Sequence, residues 1–542
     1  MSLYRGLQDL SGASYTSVNH VGDTIDLDML RASQDAGEAL PTAGDTDRDK
    51  FHGAVVFDPV AGLHRNVSYP DYSSLYPNIM RDINASLETI VGVGDRTLIR
   101  SDYSRDELRW SYIDPRPVKR LDDGESFRDF TDGSYKMVYD PSASQIKWRD
   151  DWSRIQEHLE PIYFLSPDVR EGRLPSRADT YIRWNKSYEG TMYKATKRVR
   201  NGLYGVSGDV NFRMFDWRVA EAITIAGRML LEYGSDTIIK RLASVFDERV
   251  VYRTHGDTDG FGVAVDQDVG RGHVLPRVES AVDWLNTDGI PTFMEERFGV
   301  PAGESHQEVD LESYSPKLFI PSIDGSAHTE QGTKKTYAER VTWDEGDEVD
   351  AISLTGVEAK RSDIADITES VQTDVLETIL TEPLLTAKEQ VYDRIRTAIE
   401  RVESGDAPLS ELGQRKGMSK PPEEYGSSAR SAHPVYRGAK YAKQHIDGED
   451  EFDKPMKFPV AQTDAPYPPT YDTDTAEDGD LVDYVSLEDP SNLPDEITVD
   501  RQAIIDEAIR QPLDDILGTL GWDFDEALYG HEQTGLDAYG QA

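Results

Sequence analysis

Val250-Val251-Tyr252-Arg253-Thr254-His255-Gly256-Asp257-Thr258-Asp259-Gly260-Phe261-Gly262-Val263-Ala264-Val265 holds two apolar runs joined by an acidic segment. Apolar runs flanking a short Gly/Asp stretch predict a β-hairpin. Asp257 and Asp259 then sit at its tip, two residues apart on rigid strands. Like charges held that close cost free energy unless a cation neutralises them. Hard carboxylate oxygens suit Mg²⁺ or Mn²⁺. The plain alternative is an Asp-Gly type turn with no ligand, for which Gly256 and Gly260 are good residues. The chain supplies a control: Gly44-Asp45-Thr46-Asp47 repeats the tetrapeptide in a polar stretch without flanking strands, which predicts a loop.

A third acid stands upstream. From Gly53 to Met80 the pattern is apolar, with Ala54-Val55-Val56-Phe57 a strand candidate. Asn66-Val67-Ser68-Tyr69-Pro70-Asp71 then places Asp71 at the end of a strand, before a turn that brings Tyr76 beside whatever Asp71 binds. A lone Asp there more often caps the next helix. With Asp257 and Asp259 it completes a three-carboxylate cluster for two-metal phosphoryl transfer. Lys194, Lys197, Arg198 and Arg200 put four cations into seven residues. Lys194, Lys197 and Asn201 share one helical face. That face suits a triphosphate, with Asn201 and Tyr204 toward a base pair; the alternative is a solvated charged helix.

The 542 residues carry 58 Lys plus Arg against 101 Asp plus Glu, a formal charge of -43. The acid is spread along the chain, and Lys is scarce, 19 against 39 Arg. Such a balance suits solubility in strong salt, where self-repulsion is screened. There is no Cys, which excludes disulfides, thiolate catalysis and Cys-ligated zinc. No apolar run approaches a membrane span, and residues 1–12 lack signal-peptide regions, so the expectation is a soluble cytoplasmic protein without a membrane partner. Helices are expected over Asp26–Ala36, from a capping box at Ser176–Asp179 to about Tyr188, over Tyr193–Arg200, over 217–233, over 366–403 and from Ile505 to Leu520. Residues 461–497 read as a Pro- and Asp-rich surface excursion. Residues 90–160 resist assignment.

Asp71-x-x-Ser74-Leu75-Tyr76-Pro77, Lys197-x-x-x-Asn201-x-x-Tyr204-Gly205 and Gly256-Asp257-Thr258-Asp259 resemble, in order and spacing, motifs A, B and C of the family B DNA polymerases. Asn84, Ser86, Glu88 and Thr89 after motif A, and Arg218-Val219-Ala220-Glu221 after motif B, extend the resemblance. So do Lys334-Lys335-Thr336-Tyr337, Gly356–Asp363, Lys416-Gly417-Met418 and His433-Pro434-Val435. It covers roughly residues 5–525.

The resemblance implies an α+β multidomain right-hand polymerase of archaeal, halophilic type, its palm an antiparallel sheet packed on helices. Residues 1–50 would be a connector remnant, 51–165 palm with an insertion, 166–203 fingers, 204–365 palm again, and 366–542 thumb and tail. It implies a DNA-directed DNA polymerase of replication or repair, acting on primer–template DNA and deoxynucleotides with two Mg²⁺ ions, Mn²⁺ as substitute. Asp71, Asp257 and Asp259 would be catalytic metal ligands. Ser74, Leu75, Tyr76, Arg177, Lys197, Asn201 and Tyr204 would bind nucleotide, with the backbone N–H groups of Ser73–Leu75 assisting. Lys334, Lys335, Tyr337, Arg361, Lys416, Arg437 and Lys440 would bind DNA. Between Leu412 and His445 seven Lys or Arg stand against two Glu, a local excess that fits phosphate contact.

His255 and Gly260 replace the usual Tyr and Ser flanking motif C, Gly202 the usual Ser of motif B, and Asn78 another Ser. These altered flanks keep a catalytically weak, DNA-binding paralogue as the alternative. Residues 5–50 resemble only the connector that follows an exonuclease, so the exonuclease is expected on another polypeptide, or lost, or outside a fragment that this sequence represents. Gln533, Leu536 and Tyr539 resemble a sliding-clamp peptide, with Gly540 where a second aromatic is usual.

The charge yields a first prediction. At 1 M salt the Debye length is about 3 Å, and at 0.01 M about 30 Å. Circular dichroism should show the native fold in molar salt and its loss in 10 mM salt. Full ellipticity in 10 mM salt would contradict the reading.

Overall fold

In the computed structural model, the strands that carry Asp71 and the Asp257–Asp259 turn are neighbours in one sheet. The structure describes residues 5, 8, 12, 20–42, 50–94, 103–129, 133–142, 145–148, 152–425, 434–461 and 483–529. The chain divides into two units. The first is residues 1–57, 68–265 and 270–312; the second is 58–67, 266–269 and 313–542.

The first unit begins with α1 (Val21–Asp35), the C-terminal part of β1 (Gly62–Tyr72) and α2 (Leu75–Asp82). β2 (Ile90–Val93) and β3 (Leu108–Ile113) follow, then β4 (Val118–Arg120), β5 (Met137–Asp140) and β6 (Gln145–Trp148). After α3 (Trp152–Glu157), β7 (Glu160–Leu165) inserts between β2 and β3, while β4, β5 and β6 form their own small sheet. α4 (Arg173–Ser187) and α5 (Gly190–Ser207) make a helical hairpin, and α6 (Trp217–Ala243) crosses the core. β8 (Val251–Asp257), β9 (Gly260–Val265), α7 (Arg271–Trp284), α8 (Ile290–Phe298) and the start of β10 (Val309–Ile320) complete it.

Val219, Ile223, Ala226 and Leu230 recur at helical spacing and are all buried in α6. That helix packs against α2, β3 and α7. Glu221, fully buried, accepts from the His52 and Asp114 backbone N–H groups and from Lys136 Nζ at 3.0–3.2 Å. Lys136 in turn lies 4.0 Å from the centre of the Trp217 ring. A buried acid survives because its donors replace water. Residues 90–160 escape sequence reading for a physical reason: five of the six β3 residues are buried, so no alternation marks the strand.

Two expectations are corrected. Ala54–Phe57 is no strand but a single bridge, Val56 opposite Asp257. The segment crosses the tip of the β8–β9 hairpin, where Phe57 N–H donates to Gly256 O and Thr258 N–H to Val55 O, at 3.0 and 3.1 Å. α4 starts at Arg173 and not at the Ser176 box. Its first amides are capped from outside: Gly172 donates to Asn84 Oδ1 at 2.8 Å, Arg173 to Glu88 Oε1 at 2.6 Å and Leu174 to Ser86 Oγ at 3.4 Å. This borrowed cap is the work of the residues after motif A. The other helices keep their expected places but extend further, to Ser207 in α5 and Ala243 in α6.

The second unit holds the N-terminal part of β1, the rest of β10, β11 (Tyr337–Asp344) and β12 (Asp347–Thr355), in the order β12-β11-β10-β1. α9 (Asp366–Thr381), α10 (Leu384–Ser404), α11 (Leu409–Leu412), β13 (Gln414–Arg415), α12 (Pro434–His445), β14 (Met456–Pro459) and β15 (Tyr484–Leu487) follow. α13 (Arg501–Ile505), α14 (Gln511–Thr519) and α15 (Phe524–Tyr529) come last. Val375, Ile379, Ile395, Phe458, Ile509 and Leu513 belong to one core. The expected 366–403 helix breaks at Pro383, which caps α10. The expected 505–520 helix is interrupted by a π turn at Asp506–Arg510. No described helix is long and apolar enough to cross a membrane. The 44–47 tetrapeptide, His433, most of the 461–497 excursion and the 533–540 tail lie outside the described residues.

The cap on α4 gives a stability prediction. Asn84 is fully buried and also donates to the Leu165 and Arg170 carbonyls, both at 2.7 Å. Asn84→Ala leaves the buried Gly172 amide and two part-buried carbonyls without that partner, each costing about 1–3 kcal/mol where water cannot reach it. Chemical denaturation should show a loss of several kcal/mol; a loss below about 1 kcal/mol would contradict the cap.

Candidate active site

Asp257 ends β8 and Gly260 starts β9, so Thr258 and Asp259 form a two-residue turn, with Thr258 at φ 68°. Thr258 Oγ1 donates to Asp257 Oδ1 at 2.9 Å. β1 lies beside β9, and Tyr72 N–H donates to Asp259 O at 2.9 Å. Tyr72 itself is fully buried, its hydroxyl donating to Leu230 O at 2.7 Å. This anchor fixes the end of β1, and the alternation of the strand turns Asp71 to the other face.

The carboxyl of Asp71 is pushed up to about 8, by burial first and then by the charges of Asp259, Glu312 and Asp310; Lys197 acts the other way. Asp259 is also raised, by burial and by Asp257, against the pull of Arg200 and Lys197. Asp310 and Glu312 were not foreseen as neighbours of Asp71. They alternate on β10, a spacing that was there to be read. Ser73 Oγ donates to Asp310, and Ser73 N–H to Glu308 O, so that amide is already engaged. Ser74 adopts a left-handed φ of 58° and precedes α2, where Leu75 and Tyr76 are buried.

α5 brings the cations. Lys197 is exposed, and Arg200, half-buried, donates to Asn185 Oδ1 at 2.9 Å and Asn201 Oδ1 at 3.0 Å. Burial pulls the Arg200 guanidinium down, and Asp259 restores it in part. Arg200 is the site residue that the motif pattern missed; it lies three positions after Lys197, on the same side of the helix. Tyr204 stacks on Tyr76 with centroids 4.2 Å apart at 25°. Buried Arg228 supports this pair electrostatically and donates to Gly53 O at 2.7 Å. Gly202 lies against Val21 of α1, where a Ser would clash. Arg177 is drawn elsewhere: it pairs with Asp28 of α1 at 2.6 Å and lies over the Tyr181 and Trp184 rings.

The expected DNA-binding residues all fall in the second unit. Lys334 pairs with Asp58 at 2.8 Å, and Arg361 with Asp363 at 2.9 Å. Lys335 has a φ of 59° just before β11, which Tyr337 opens. Lys416 lies in the field of Asp363, Arg437 of Tyr484 and Lys440 of Glu423.

Asp71, Asp257 and Asp259 offer hard oxygen donors, and the ionised forms of Asp71 and Asp259 are penalised where they stand, which fits a divalent cation. Among the described residues no three His, Asp or Glu side chains converge into a formed ligand set. The acids stand as neighbours, not as a closed cage.

A family model described as DNA polymerase family B matches residues 22–132 and 332–452. Over these segments the chain is similar to the family B DNA polymerases. Motif A lies inside the first matched segment; Lys197, Asp257 and Asp259 lie between the two. "DNA polymerase 2" of Aeropyrum pernix is 25% identical over 415 residues, 76% of this chain and 40% of its own length. "DNA polymerase II" of Escherichia coli is 24% identical over 409 residues, 76% of this chain and 42% of its own. The chain thus spans about two fifths of the length of these relatives. The family B polymerase structure from Pyrobaculum calidifontis shares the fold, with TM-score 0.53 and 18% identity over 95% of this chain and 53% of that one.

The crowding at Asp71 has a measurable consequence. Its folded value lies above the ordinary carboxylate value of about 3.9. The folded state therefore holds this proton more tightly than the unfolded state does. Stability from the group is present below about pH 4 and is lost as pH rises toward 8. In EDTA at fixed high salt, Tm should fall between pH 5 and 9, and Asp71→Asn should flatten that fall. An unchanged slope would show that Asp71 is not crowded.

Proposed function

We propose that this chain is a DNA-directed DNA polymerase that adds deoxynucleotides to a primer 3′-hydroxyl against a template. The observation that carries the reading is the grouping of Asp71, Asp257 and Asp259 at one end of a sheet, in the field of Lys197 and Arg200. Asp71 and Asp259 would hold two Mg²⁺ ions, with Asp257 assisting and Mn²⁺ as substitute. Such ions, when bound, lower the pKa of the 3′-hydroxyl and stabilise charge on the triphosphate and the leaving pyrophosphate.

The chain's own residues do the rest. Lys197 and Arg200 neutralise phosphate charge from α5. Tyr76, held by the Tyr204 ring and buried against α2's own core, lies under the sugar and excludes a 2′-hydroxyl. Asn201 and Tyr204 line the nascent base pair, and Ser74 and Leu75 present backbone to the phosphates. Arg177 must leave Asp28 before it can reach a triphosphate. The 3′-oxygen bonds to the α-phosphorus, the bond to pyrophosphate breaks, and the hydroxyl proton passes to solvent water. Template pairing supplies base identity.

On this reading residues 166–203 are the fingers, 51–165 and 204–365 the palm, and 366–542 the thumb. Lys334, Lys335, Tyr337, Arg361, Lys416, Arg437 and Lys440 contact the duplex backbone. A sliding clamp reached through Gln533–Tyr539 is carried by sequence alone.

Asp259→Asn tests the reading. Losing a metal-bound carboxylate costs transition-state stabilisation and not duplex affinity. Primer extension should fall at least a hundredfold, about 2.7 kcal/mol, while DNA binding stays within a few-fold. Extension above about a tenth of wild type would remove Asp259 from the reaction.

A further inference from the structure

β9 opens with Gly260-Phe261-Gly262. Side chains alternate along a strand, so Gly260 and Gly262 share one face and Phe261, fully buried, takes the other. Two rings lie on the bare face. Tyr69 comes from β1 on one side of β9, and His255 from β8 on the other. They stack with centroids 5.6 Å apart at 28°. A Cβ on Gly260 would stand 2.5 Å from Asp71 Oδ1, 2.6 Å from Tyr69 Cε1 and 2.7 Å from Tyr69 Oη. A Cβ on Gly262 would clash with Thr254 Oγ1 and stand 2.8 and 2.9 Å from His255 Cε1 and Nδ1. These separations are below contact distance, so the rings and any side chain at 260 or 262 exclude one another.

The order of residues makes the arrangement systematic. Tyr69 stands two residues before Asp71, and His255 two residues before Asp257. His255 and Gly260, the two departures flanking motif C, therefore lie in one packed cluster, which Tyr69 completes. The Asp71 carboxyl and the Tyr69 ring edge converge on the slot that Gly260 leaves open.

We propose that Tyr69 is a positioning residue: its ring, backed by His255 and seated over Gly260, sets the orientation of the Asp71 carboxyl toward a divalent cation. This rests on the polymerase reading for its role in turnover, but not for its packing or its effect on cation binding. A carboxylate displaced by even a fraction of an ångström loses much of its value as a ligand.

The test uses the full chain in its working salt, as wild type, Tyr69→Ala, Tyr69→Phe, Gly260→Ser and the Tyr69→Ala/Gly260→Ser double variant. Gly260→Ser should lower Tm clearly when Tyr69 is present and much less when it is replaced by Ala. Additive Tm changes would overturn the shared slot. Mn²⁺ binding, followed by electron paramagnetic resonance, should weaken several-fold in Tyr69→Ala and recover in Tyr69→Phe, which keeps the ring. Unchanged Mn²⁺ affinity in Tyr69→Ala would overturn the positioning role. In primer extension, kcat of Tyr69→Ala should fall at least tenfold while KM for the deoxynucleotide stays within about threefold; a change in KM alone would assign Tyr69 to substrate binding instead. Failure of the wild type to extend a primer, with the Tm and Mn²⁺ results as expected, would overturn the polymerase reading and leave the Tyr69 unit standing.

Discussion

Repulsion among carboxylates at one end of a sheet is the constraint around which the first unit is built. Asp71 feels Asp259, Glu312 and Asp310, and Asp259 feels Asp257. An unsupported chain would spread these charges apart. Here each is tied to a strand, and the strands are tied to a core. Tyr72 buries its ring and bonds Leu230, so the residue next to Asp71 cannot move. Its amide holds the Asp259 carbonyl. α6, with its buried stripe and the Glu221–Lys136 pair, is the platform under that anchor. Repulsion of this kind is relieved when Asp71 keeps its proton, and a divalent cation, if bound, would relieve it as well.

The cationic side of the site comes from a different element. α5 carries Lys197 and Arg200 and stacks Tyr204 on Tyr76. α1 holds the α4–α5 hairpin through the Asp28–Arg177 pair, a hydrogen bond from Tyr181 to Asp28 at 2.6 Å and the Val21–Gly202 contact. Gly202, odd as a motif residue, is thus explained by packing. Arg177 is the residue whose expected role and observed partner diverge: in this state its charge is spent on Asp28.

Much of this was legible in the chain because the signals are short-range. The hairpin at 257–260 follows from apolar runs and a turn, and α6 from a four-residue stripe. The motif acids needed only their order along the chain. What escaped was what depends on distant partners. The cap of α4 comes from Asn84, Ser86 and Glu88, some 85 residues away, so a local box at Ser176 was misleading. β3 is buried along nearly its whole length and shows no period. Asp310, Glu312 and Arg200 join the site through topology, and the unity of Tyr69, His255 and Gly260 appears only when three strands are side by side.

The central claim is that these crowded acids exist to direct nucleotide addition by template. Single-nucleotide incorporation tests it most directly, with the purified wild-type chain, a primed template, Mg²⁺ and molar salt. The account predicts extension by one residue with the complementary deoxynucleotide only, at each of the four template bases, and none in EDTA. DNA bound without extension, or a primer that shortens, would contradict it.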